Sequence, residues 1–107
     1  MKNSQGTNLL IIHPLRHAAT TGHSATQLLE LWQQGVVSQG RDGSSRMEMM
    51  LDFRRAFAWS LAEVAILGAW QPFGDSAWTD EMINNRMAPL LEEWRTSPRP
   101  ARDLGSE

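Results

Sequence analysis

The clearest periodicity in the chain runs from Ser45 to Trp70. No Gly or Pro interrupts it before Gly68, and Pro72 marks its end. Ser45-Arg46-Met47-Glu48 opens it with a capping-box pattern, in which the serine oxygen accepts from the amide three residues on and the glutamate reaches back. The spacing predicts one helix from about 46 to about 70, roughly 37 Å long at 1.5 Å per residue. One apolar stripe holds Met47, Met50, Leu51, Phe57, Ala58, Leu61, Val64, Ala65 and Gly68, and a second adds Met49, Phe53, Ala56, Leu67 and Trp70. A helix apolar over two stripes has to be central in its domain, central in a dimer, or both.

A second capping box, Ser24-Ala25-Thr26-Gln27, opens a shorter helix that carries Ala25, Leu28, Leu29, Trp32 and Val36 at helical spacing and ends near Gly35 or continues through Val36 and Val37. Residues 38–43 read as a loop. Past the turn at Pro72-Phe73-Gly74-Asp75, Asp75 or Ser76 is placed to cap a third helix running to about Arg95. Its apolar face is Trp78, Met82, Ile83, Met87, Leu90, Leu91 and Trp94, and Pro89 is expected to kink or split it. Residues 1–23 read as a polar arm with a short apolar segment, Leu9 to Ile12, compatible with a short strand or an extended arm on a neighbour; Pro14 then opens a turn of helix that Gly22 ends. Residues 96–107, rich in Pro, Arg and Ser, read as a loose tail. The expected fold class is all-α: one helical domain over 24–95, a long central helix packed with a shorter preceding helix and a Pro-kinked following helix, as a homodimer.

Composition narrows the function classes. A chain of 107 residues with 41% apolar positions suits one globular domain. It has no Cys, which excludes disulfides and thiolate chemistry and points to a reducing, cytoplasmic setting. Net charge is −2 and no segment is strongly basic, so the footprint for a phosphate backbone is missing and no nucleic-acid partner is expected. No apolar run is long enough to span a bilayer, and no membrane partner is expected.

Catalytic and metal chemistry find little to stand on. His13 and His17 have the four-residue spacing of a helical metal pair, with His23 a conceivable third ligand, but no ligand set is complete and no metal or cofactor is expected. Asp80-Glu81 and Glu92-Glu93 sit side by side on polar faces, where nothing would separate their pKa values for acid and base roles. Nucleophile elbows and phosphate-binding glycine loops are absent, so no catalytic residue is assigned and the chain reads as non-enzymatic.

The most informative content is five Trp and six Met. Trp32, Trp78 and Trp94 fit the core. Trp59 falls on the polar band of the long helix, between Arg55 and Glu63, and reads equally as the anchor of a binding face or as a side chain buried under another part of the chain. The binding-face reading assigns partner contact to Asp52, Arg55, Trp59, Glu63 and Ile66, with Arg55 stacked over the indole. It leaves Met49, Phe53, Phe57, Leu61, Leu67 and Trp70 for the dimer interface.

The run SRMEMMLDFRRAFAWSLAEVAILGAW at 45–70, the chain length and the cysteine-free helical layout resemble the small helical antiactivators that restrain LuxR-type quorum-sensing regulators in bacteria. The resemblance covers roughly residues 20–96 and rests on overall character, so it carries no residue roles. It implies a homodimer that binds the ligand-binding domain of a LuxR-type transcription regulator, blocks that regulator's dimerisation and so prevents its DNA binding. The alternative is a small helical DNA-binding regulator, for which Asn84, Asn85 and Arg86 of the third helix would read bases.

Overall fold

Two capped helices flank the loop at 39–45, and each begins where the sequence places a serine. The computed structural model describes residues 9–74 and 78–97. Helix α2 (Ala25–Ser38) starts at Ser24, whose hydroxyl accepts from the Gln27 amide while the Gln27 side chain accepts from the Ser24 amide. Helix α3 (Arg46–Phe57) starts at Ser45, which caps the Glu48 amide. The fold is all-α. Its described residues also form α1 (Leu9–Thr20), the single-turn α4 (Leu61–Ala65), two 3₁₀ turns at 67–69 and 71–73, and α5 (Asp80–Thr96).

Three elements depart from the pattern read off the sequence. The segment after residue 8 is neither strand nor arm but α1, twelve residues long with Pro14 inside it. Ile11, Ile12, Leu15, Ala18 and Ala19 recur on one face of it and are buried against α2 and α3. That burial outweighs the hydrogen bond lost at an exposed proline. Gly22, at φ 102°, ends the turn beyond the helix.

The expected 46–70 helix is broken. It stops at Phe57, Ala58 takes the left-handed conformation (φ 59°, ψ 30°), and Ser60 caps a new helix whose Glu63 returns the capping bond. Ser60-Leu61-Ala62-Glu63 is the same capping-box pattern that opens α2 and α3, set within an otherwise helical run.

The third helix starts at Asp80 under a Thr79 cap, and the expected caps Asp75 and Ser76 lie outside the described residues. It continues unsplit through Pro89 to Thr96. The proline faces solvent, where the carbonyl it frees reaches water.

Packing closes around α3. Its buried side chains, Met49, Phe53, Ala56 and Phe57, meet α1 on one side and the 67–69 turn on the other, while α2 bridges α1 to α5. The radius of gyration, 13.0 Å, is that of a compact domain of about 100 residues. Arginines lace the elements at their C-terminal ends, where unpaired carbonyls and the helix dipole favour a cation. Arg16 donates to Ala56 O at 2.6 Å, and Arg95 donates to Ala19 O and His23 O, each at 2.7 Å.

Candidate functional site

The break at Ala58 redistributes every residue assigned to a binding face. Asp52 is 1% exposed and sits at the centre of a polar node. Its Oδ2 accepts from Trp32 Nε1 at 2.8 Å and faces Arg41 Nη2 at 3.4 Å; its Oδ1 faces Arg55 Nη1 at 3.5 Å. Arg41 also binds Glu48 Oε1 at 2.7 Å. Burial opposes the charge on Arg41, but the Glu48 hydrogen bond and the charges of Asp52 and Glu48 outweigh it and leave its pKa raised. Arg55 therefore pairs with Asp52 and does not stack on Trp59.

Trp59 is 2% exposed. Its ring stacks on Phe57 at 4.5 Å, and Phe57 meets Trp94 edge-on at 5.1 Å. The indole belongs to the core, as the competing sequence reading allowed. Glu63 closes the Ser60 cap, and Ile66 packs partly buried against the core. The five residues assigned to partner contact thus do not form one face. Their alignment presupposed a continuous helix, and the one-turn relation of Arg55, Trp59 and Glu63 ends where the helix ends.

The side chains assigned to a dimer interface are redistributed in the same way. Met49, Phe53, Phe57, Leu67 and Trp70 lie inside a single chain's core, and Leu61 alone of that set is exposed. Of the two apolar stripes that argued for a dimer, the second (Met49, Phe53, Ala56, Leu67 and Trp70) is covered within the chain, whereas Met47, Leu51 and Leu61 of the first are not.

What the fold leaves open is the opposite side of α3. Met47 is 74% exposed, Leu61 57% and Leu51 37%, and with the half-buried Met50 they line one groove, of about 330 Å³, between α3 and α4. Arg46 and Arg54 complete its lining. Arg46 Nε donates to Gly68 O at 2.9 Å and Arg54 Nε to Trp59 O at 3.3 Å, which fixes both side chains against backbone from beyond the break. The ion pairs among the described residues join Arg41 and Arg55 to Asp52 and Glu48, so neither groove arginine has a carboxylate within 4.0 Å among those residues.

The periodicity had placed Met47, Met50, Leu51 and Leu61 in a core stripe. The capping box at Ser60 was the signal that would have separated Leu61 from it, since a new helix start turns the following residues onto a new axis and leaves the side of α3 bearing Met47, Met50 and Leu51 without the rest of its stripe.

The remaining candidates are dispersed. His13 and His17 lie on the exposed face of α1, and no three His, Asp or Glu side chains cluster as a metal set among the described residues. Asn84 is tied into the fold: its Oδ1 accepts from the Thr26 amide at 2.9 Å and its Nδ2 donates to Thr26 Oγ1 at 3.1 Å. Arg86 lies over the Trp78 ring at 5.7 Å. The Thr26 contacts take Asn84 out of a base-reading set, while Asn85 and Arg86 stay exposed. No described helix is long and apolar enough to cross a membrane.

No family model, curated protein or solved structure matches the chain.

Proposed function

We propose that this chain is a non-enzymatic binding protein that captures a protein partner in the groove between α3 and α4. The observation that carries the proposal is the groove itself. In a small domain that buries six aromatic side chains, three large apolar side chains stand exposed together beside two arginines that have no carboxylate partner among the described residues. Clustered exposed apolar surface rimmed by charge is the usual form of a protein contact site, and methionines let such a surface adapt to what it meets.

The partner class comes from the sequence resemblance to antiactivators: a LuxR-type transcription regulator, held by its ligand-binding domain so that it neither dimerises nor binds DNA. Titration calorimetry of the chain against the ligand-binding domain of such a regulator from the same organism tests this. A saturable complex is expected, with release of the regulator from its operator in a mobility-shift assay. Met47→Asp should abolish both. The absence of any complex would reject the partner class. A chain that shifts the operator by itself would favour the DNA-binding alternative.

A further inference from the structure

We infer that the segment seated in the groove is an acidic amphipathic helix of the partner. This rests on the groove being the working face and specifies what it takes. Met47, Met50, Leu51 and Arg54 follow one another at i, i+3, i+4 and i+7 along α3, and Leu61 of α4 forms the facing wall. A ridge with that spacing and a facing wall accept the matching ridge of another helix.

The charges select which helix. Arg46 and Arg54 are eight residues apart on α3, about 12 Å along its axis at 1.5 Å per residue. That matches two side chains separated by two turns on an incoming helix. Each guanidinium is held by backbone carbonyls, Arg46 also reaching Phe73 O at 3.3 Å. Carbonyls orient the cations without cancelling their charge, so a carboxylate arriving at either end meets a donor already in place. A second copy of this chain fits poorly, because a two-fold pairing through the groove would bring four such arginines together with no acid in the lining.

The test uses the full-length chain and fluorescence anisotropy. The probes are two labelled Ala-rich helical peptides of about 20 residues, long enough to be partly helical alone. Both carry Leu at i, i+3, i+4 and i+7; one carries Glu and the other Lys at the flanking positions. The acidic peptide is expected to bind at least about tenfold tighter, the scale of one charge-assisted contact, and to weaken as salt rises. Leu61→Asp should abolish its binding.

Arg54→Glu should reverse the preference. Since that change could also disturb the fold, the salt dependence of the unaltered chain is a separate reading of the same charge. Equal affinity for the two peptides, or a salt-independent preference, overturns the inference even where the regulator domain binds. A fatty acid that saturates the groove and is not displaced by the acidic peptide overturns it as well. Conversely, a clear preference for the acidic peptide in a chain that ignores the regulator domain leaves the acidic-helix inference standing and removes the proposed partner class.

Discussion

Asp52 is buried with its carboxylate engaged from three sides, by the Trp32 indole N–H and by the guanidiniums of Arg41 and Arg55. A carboxylate so placed is conditional on its partners, and they on it. Asp52→Ala would leave the fully buried Trp32 N–H without its acceptor and two partly buried guanidiniums short of an anion. We expect a loss of about 3 kcal/mol, from the range for breaking a buried pair, read as a lower urea midpoint. Asp52→Asn keeps an acceptor for the indole and should lose less. Trp59→Ala empties a stacked position beside Phe57 and should cost about 3–5 kcal/mol of stability, the range for truncating a buried aromatic. Any Trp59→Ala chain that remains folded should bind its partner undiminished, and calorimetry at a temperature below its transition checks this. The role of Asp52 was not visible in the sequence, and burial of Trp59 was one of two readings it left open. The spacing gave Asp52 and Trp59 a shared helix face, but what fixes Asp52 is a loop arginine eleven residues before it and a tryptophan of another helix, contacts that leave no periodic trace, and what turns Trp59 onto Phe57 is the break at Ala58.

At the scale of elements, the joint at Ala58 decides the architecture. An L-residue in the left-handed region carries a cost of roughly 1–2 kcal/mol that glycine does not. Ala58→Gly relieves that strain at the expense of a more flexible unfolded chain, a penalty of up to about 1 kcal/mol. A net gain of up to about 1 kcal/mol is expected, measurable as a raised thermal midpoint. The helices that sequence patterning identified well are those with both a cap and one clean face: in α2 the expected apolar residues Ala25, Leu28, Leu29, Trp32 and Val36 are all buried. Helix α1 was obscured by Pro14 and by the polar residues that precede Leu9 in the sequence, because local propensity opposed what burial of Ile11, Ile12 and Leu15 enforces. The 46–70 run misled in the other direction. Uninterrupted helix-forming residues concealed a stop made by Ala58, a residue with no breaker chemistry, and that error aligned the buried Asp52 and Trp59 on one supposed outer face.

Across the whole molecule, one of the two apolar stripes that argued for a dimer is buried within one chain, and the exposed remainder of the other lies in a groove whose charges oppose self-pairing. Sedimentation equilibrium at tens of micromolar is therefore expected to give a species near 12.0 kDa. A 24 kDa species that persists in Met47→Asp would place self-association on some other surface, and one that Met47→Asp dissolves would place it in the groove. The arginine laces distribute cohesion over the molecule, tying the ends of α1 to α5 and α3 to α1 through backbone carbonyls.

The two walls of the groove are unequal in length. Helix α3 has twelve residues and one side sunk in the core, whereas α4 has five, with Val64 its one buried side chain. A helix of one turn has no stability of its own and persists through its cap and its packing. The amides of residues 61–65 should therefore exchange with deuterium well before those of α3, through local opening that leaves the rest of the chain intact. A partner lying against Leu61 would slow that exchange while leaving α2 and α5 unchanged. Binding would then be recorded as the firming of a single turn, a signature that locates the contact without any knowledge of what made it.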